Sequence, residues 1–352
     1  MADYITFQPK DYFNTVLYTG DGNATNAITG VGFQPDWVWI KNRGTTARHV
    51  LFDAVRGSQK ALFSHLTDAE QSTNQYGTLN SFDSDGFTVA DGSSSGERTN
   101  NSSENYVSWN WKASGTSGSS NSDGSISSTV SANDTAGFSI VKYTGTGSAG
   151  NVGHGLSTAP KVLINKALGT QDWFFGHSSL GFTKFLKLNE TNAESTNSGI
   201  WNDTAPTTAH FTINSANGNT NGTGVDYITY CFAEKKGYSK FGSYSGNGNA
   251  DGPFIYTGFK PQFILWKRTD SANGWIIMDT KRSPFNVVDD LVEPQSSGAE
   301  ATDSSYHVDY LSNGFKIRNT NNVFNNSSGA YVYMAFAEEP LVSSNNIPCT
   351  AR

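Results

Sequence analysis

Gly32-Phe33-Gln34-Pro35-Asp36-Trp37-Val38-Trp39-Ile40-Lys41 is the stretch on which the fold of this chain is read. It returns as Gly155-Leu156-Ser157-Thr158-Ala159-Pro160-Lys161-Val162-Leu163-Ile164-Asn165-Lys166, and again as Gly258-Phe259-Lys260-Pro261-Gln262-Phe263-Ile264-Leu265-Trp266-Lys267. Each copy is a glycine turn, a proline, a short apolar run and a closing lysine. Proline has no N–H to give to a sheet ladder, so it sits at the start of a strand and not in its middle. Each copy therefore reads as one buried strand, and the chain as three versions of one module.

Four further landmarks recur in the same order. Tyr18-Thr19-Gly20, Tyr143-Thr144-Gly145 and Tyr244-Ser245-Gly246 come before the proline stretch. After it come the pairs Ala69-Glu70, Ala193-Glu194 and Ala299-Glu300, then Phe87-Thr88-Val89, Phe211-Thr212-Ile213 and Phe315-Lys316-Ile317. Tyr106 to Trp111, Tyr227 to Phe232 and Tyr331 to Phe336 close the modules. The lag from Pro35 to Pro160 agrees with that from Tyr106 to Tyr227 to within a few residues, the tolerance loop insertions produce in a repeat. In the closing segment Val107, Trp109 and Trp111 alternate with Ser108 and Asn110, which predicts a half-buried strand with one face on the core. Helix signals are thin: Val50 to Leu66, interrupted by Gly57, and Pro284 to Leu291 are read as strands with at most a helical turn.

The predicted fold class is all-β, with three tandem antiparallel β-sandwich modules of the jelly-roll or concanavalin-A-like kind, each near the ~100 residues usual for a sandwich. The boundaries are 1–113 for the first module, 114–137 for a Ser/Gly-rich linker in which Ile126 and Val130 offer an edge strand, 138–236 for the second module, 237–342 for the third and 343–352 for a polar tail. The short link Glu234-Lys235-Lys236-Gly237 predicts a fixed angle between the second and third modules. Modules in series, each with its own core, would give a stiff, extended particle.

Composition bounds the function. The chain has 352 residues, 16% of them charged, with a formal net charge of −7. That balance disfavours wrapping nucleic acid, which needs clustered Lys and Arg. No apolar run is long enough to span a membrane. Met1-Ala2-Asp3-Tyr4 lacks the basic start of a signal peptide, so synthesis without that export route is expected. Cys231 and Cys349, the two cysteines, are read as free thiols.

The repeats act as an internal control: a residue the fold needs should recur, and a site used once should stand alone. Asp83-Ser84-Asp85-Gly86 resembles a calcium loop, but Ser312-Asn313-Gly314 replaces it in the third copy, so a hairpin turn is the better reading. The spaced pairs Asp53/Arg56 and Asp279/Arg282 are read as local ion pairs bracing a loop. Glu70, Glu194 and Glu300 recur without a second carboxylate, which fits a structural acceptor rather than a glycosidase acid. His49, His65, His154, His177, His210 and His307 form no close-spaced metal pair. No nucleophile elbow, phosphate loop or dinucleotide fingerprint appears. Catalytic residues, metal and cofactor are thus all expected to be absent. Trp37, Trp39, Trp109 and Trp111 are assigned to packing, whereas Trp173, Trp201 and Trp275 lie nearer loops and are the candidates for stacking on a glycan.

Tyr18 to Gly22, Gly32 to Lys41, Asp53 to Gly57 and Tyr106 to Lys112, taken together, resemble a repeat of structural proteins from marine tailed bacteriophages, over nearly the full length. The second copy departs most, with Leu156, Lys161 and no Asp-x-x-Arg element. The resemblance implies a sandwich repeat on a virion, as tail fibre, appendage or decoration, assembled in the host cytoplasm. Its implied partners are other virion proteins and further copies of itself, with a homotrimer as the expected state. Adhesion to a host surface glycan is the alternative reading, and glycan hydrolysis the second.

Overall fold

A computed structural model describes residues 8–72, 75–93, 99–214 and 218–339, with the backbone alone of 341–342 and 348–349. The described chain is built of antiparallel strands, and its two α-helices, Ser198–Trp201 and Asn322–Asn325, are single turns. None of its helices is long and apolar enough to cross a membrane.

All three modules share one plan. In the large sheet the closing strand lies between the opening strand and the proline strand: Asn105–Trp111 between Phe13–Thr19 and Trp37–Asn42, Asp226–Phe232 between Phe138–Thr144 and Val162–Ala167, and Ala330–Ala337 between Ser239–Ser245 and Pro261–Arg268. The register is the same in each copy. Trp111 pairs with Phe13 and Trp37, Phe232 with Phe138 and Val162, and Phe336 with Ser239 and Phe263. A smaller outer sheet covers each large one: Asn26–Ile28, Thr78–Asp83 and Gly86–Ala90 in the first module, Gly150–Gly153 and His210–Ile213 in the second, and Phe254–Tyr256, Val308–Leu311 and Gly314–Ile317 in the third.

The landmark tyrosines explain themselves in this register. Tyr18 stacks on Tyr106, Tyr143 on Tyr227 and Tyr244 on Tyr331, with ring centroids 4.9, 5.2 and 4.9 Å apart. Phe87, Phe211 and Phe315 meet the first tyrosine of each pair edge-on. The glycine two residues on is set by close approach: a Cβ on Gly20, Gly145 or Gly246 would come within 2.1 to 2.3 Å of a carbonyl oxygen, that of Asn101, Gly222 or Asn326. Asn100, Asn221 and Asn325 are buried against the same turn, each taking a hydrogen bond from the backbone N–H after the glycine.

The large sheets are covered on both faces, which corrects the half-buried reading of the closing strand. Ser108 and Asn110 are as buried as the tryptophans beside them. Their donors are bonded to backbone, Ser108 Oγ to the Val16 carbonyl and Asn110 Nδ2 to those of Asn14 and Ser108, while Asn110 Oδ1 is buried without a partner. The proline strands carry apolar residues without a break for the same reason. Val38 and Ile40 face a core private to the first module, while Trp37 and Trp39 face the other way.

That other face leads to a core shared by all three modules. Phe13, Trp37, Trp109 and Trp111 meet Phe138, Val162, Tyr230 and Phe232 of the second module and Phe263, Leu265, Met334 and Phe336 of the third. The modules are therefore clustered around one interior, each keeping a private core on its outer side. The expected in-line arrangement is not found, because the face that would have met water is apolar in every copy. The segment expected to link the first two modules is also structured: Ser119–Asn121 and Ser128–Asn133 extend the second module's sheet, and Ile126 and Val130 are buried in its private core.

Candidate functional site

Three joints hold the modules, and they are built alike. Between the first and second, the Glu70 N–H donates to the Leu168 carbonyl at 2.9 Å. Lys166, at the end of the second proline strand, is buried and donates to the carbonyls of Ala167, Gly169 and, across the joint, Thr67. Trp173 Nε1 donates to the Phe63 carbonyl at 2.8 Å. Between the second and third, Glu194 N–H reaches Thr269, Lys267 reaches Arg268 and Thr191, and Trp275 Nε1 reaches Lys187. Between the third and first, Glu300 N–H reaches Arg43, Lys41 reaches Asn42 and Ser297, and His49 replaces the tryptophan, facing the Glu293 backbone. Each acceptor stands at the same offset from its glutamate. Contacts of one sense, running first to second to third to first, are head-to-tail, and here they close into a ring.

Burial pushes the ammonium pKa of Lys41 and Lys267 down to about 8 and that of Lys166 to about 7. Their ammonium groups are donor-only and point at carbonyls, so each lysine ties its own strand to the glutamate-bearing loop of the preceding module. The glutamate side chains add ion pairs: Glu70 with Arg56 at 3.2 Å, Glu194 with Lys184, and Glu300 with Arg43 at 2.7 Å and Arg282 at 3.1 Å. These recurrent glutamates thus stand at structural joints.

The Asp–Arg pairs reach further than the loops they brace. Asp53 is paired with Arg56 at 2.5 Å, and its Oδ2 accepts from the Tyr230 hydroxyl of the second module at 2.8 Å. Asp279 is paired with Arg282 at 2.6 Å and accepts from Trp109 Nε1 of the first module at 3.1 Å. In the second module His177 takes the place of the aspartate in the sheet register, opposite Val162 as Asp53 is opposite Trp37. Its ring nitrogen Nδ1 accepts from the Ser179 N–H, and Nε2 lies 3.2 Å from the Tyr333 carbonyl of the third module. The residue there that matches Trp109 and Tyr230 is Met334, which has no donor for a carboxylate. Aspartate and its ring donor have been exchanged together, which keeps the buried joint free of an unpaired charge.

The three tryptophans expected to stack on a glycan are buried. Trp173 and Trp275 face the shared core and Trp201 the second module's private core, each 0 to 1% exposed. Two of them donate across joints, so none offers a ring face to a ligand. Asp83 and Asp85 brace the hairpin between them and its neighbours: Asp85 accepts from Gly30 and Gly32 N–H, and Asp83 from the hydroxyls of Ser81 and Thr88. Cys231 is buried as a free thiol; the side chain of Cys349 lies outside the described residues.

One surface breaks the threefold pattern. Phe254 and Tyr256, on the edge strand of the third module's outer sheet, are 45% and 64% exposed. Ile255 between them pairs with Phe315 just as Ile28 pairs with Phe87 and Val152 with Phe211, so the matching positions are Ala27 and Thr29, and Asn151 and Gly153. Aromatic rings stand there only in the third copy. By the repeat's own logic, these two residues are not demanded by the fold.

Residues 8–340 match the family model of a domain of unknown function, DUF7483. The chain belongs to the DUF7483 family. The match runs from the opening strand to the end of the last closing strand and so covers all three large sheets. No curated protein and no solved structure matches the chain.

The joints of this DUF7483 chain differ in their response to acid. Burial pushes the pKa of His177 down to about 4, and the Tyr333 carbonyl opposes that shift only partly. The unfolded chain takes up this proton near pH 6.5 and the folded one only near 4, so the contribution of His177 is complete above 6.5 and is lost as pH falls from 6.5 towards 4. The loss is on the order of 3 kcal/mol. His65, also pushed down to about 4 by burial, acts in the same direction, whereas Asp36, pushed up to about 6 by burial, acts against it. The urea midpoint should therefore fall between pH 7 and pH 5, and fall less in His177→Gln. Equal slopes for the two proteins would contradict the assignment.

Proposed function

We propose that the chain is a non-catalytic structural component of a bacteriophage particle, an appendage, fibre or decoration protein that works through protein–protein assembly. The observation that carries this reading is the joint repeated three times, in which the recurrent glutamates and lysines hold module to module, with Asp–Arg pairs added at two of the three. Side chains a hydrolase would need in a cleft are here bonded within the scaffold. The likeness of the landmark strings to the virion repeat supports the same reading. A ring of three similar modules also presents a threefold-like outline from a single chain, which suits a threefold-symmetric seat on a particle and further self-assembly around it. Mass spectrometry of purified particles from a phage encoding this chain tests the proposal. Recovery at a fixed copy number per particle is the expected result; absence from particles, with the chain present in the infected lysate, would overturn it.

A further inference from the structure

We propose that the outer sheet of the third module carries a binding site for a neutral saccharide, centred on Phe254 and Tyr256. The two side chains alternate with the buried Ile255 and so stand on one face of the sheet, about 7 Å apart along the strand. Cross-strand partners share that face: Lys316 opposite Phe254, Asp309 opposite Lys316, and Gly314 opposite Tyr256. Each ring has a glycine beside it. A Cβ built on Gly314 would fall 3.0 Å from Phe254 Cε2, and one on Gly258 would fall 3.5 to 3.7 Å from the Tyr256 ring and hydroxyl. With Phe254 45% and Tyr256 64% exposed on the same face of the sheet, the pair makes an apolar platform open to solvent.

The surroundings select the ligand. Lys316 pairs with Asp251 at 2.9 Å, and Arg318 reaches Asp251 at 3.5 Å and Asp309 at 3.4 Å. Two cations are thus balanced by two carboxylates, which leaves hydrogen-bond donors and acceptors around the platform and no net charge to attract a phosphate or a nucleic acid. Aromatic side chains carry roughly 150–250 Å² each, so two half-exposed rings offer far less than the ~800 Å² per partner of a stable protein interface. A pyranose fits both limits. Its C–H face stacks on the ring, and its hydroxyls meet the carboxylates and cations at the rim. This inference stands on the third module alone and does not depend on the chain being a particle component.

The test is a glycan array probed with the full-length chain, followed by titration of the best neutral binder against wild type and the Phe254→Ala/Tyr256→Ala variant. Binding of at least one neutral glycan, weakened at least about tenfold in the variant at unchanged thermal midpoint, is the expected outcome. Tyr256→Ser alone carries the comparison should the double variant not fold. Saturation-transfer NMR on the wild type should place the sugar's C–H protons against aromatic protons. No neutral binder, binding of anionic glycans alone, or affinity unchanged in the variants would overturn the proposal.

Discussion

Trp111→Ala should lower the unfolding free energy by ~3–5 kcal/mol, the range for removing a buried Trp or Phe from a core that cannot collapse around the gap. Trp111 is 1% exposed and touches rings from all three modules: Phe13 and Trp37 of its own, Phe232 of the second, and Phe263 and Phe336 of the third. A cavity there is lined by three sheets whose positions are fixed by separate private cores, so none can move in to fill it without disturbing the others. Equilibrium denaturation in guanidinium, followed by far-UV circular dichroism, measures the change. A loss below about 1 kcal/mol would mean that the side chain is not packed between modules.

Asp53→Ala should cost a similar ~3–5 kcal/mol, for a different reason. The substitution leaves the Arg56 guanidinium buried beside Glu70 alone, and it strips the Tyr230 hydroxyl of its acceptor in the neighbouring module. Removing one partner of a buried pair is worse than never having the pair, because the charge left behind is no longer in water. A double-mutant cycle with Tyr230→Phe separates the loop-bracing part from the part that crosses the joint. Coupling of ~0.5 kcal/mol or more between Asp53 and Tyr230 is expected, and additivity would place the aspartate's whole effect within the first module.

The repeat itself was open to reading from residues, since tyrosine, glycine, proline and closing-strand positions recur at matched spacing and fall into one register in the folded chain. The all-β class followed from the same strands. The ring did not. Ser108 and Asn110 look like a solvent face because a polar side chain on a strand says nothing about whether backbone carbonyls wait beside it. Trp173 and Trp275 look loop-exposed because the carbonyls that take their indole N–H groups belong to Phe63 and Lys187, in another module and far along the chain. The Ser/Gly-rich stretch before the second module reads as a linker, yet its strands are held by backbone pairing that small polar residues permit as well as large ones. The exchange of Asp53 and Asp279 for His177 was visible only as a missing Asp-x-x-Arg element. Its sense came with Met334 on the other side of the joint. Phe254 and Tyr256 carry a signal in the repeat itself, since the matching positions hold Ala27 and Thr29 in the first copy and Asn151 and Gly153 in the second.

Small-angle X-ray scattering of the monomeric chain in solution is the most direct test of closure. Three modules gathered around a shared interior give a radius of gyration of about 20 Å for a chain of this length. The same modules strung in line, touching only at their links, would exceed about 30 Å and show the extended distance distribution of a rod. The smaller value is predicted, and the larger one would contradict the closed ring.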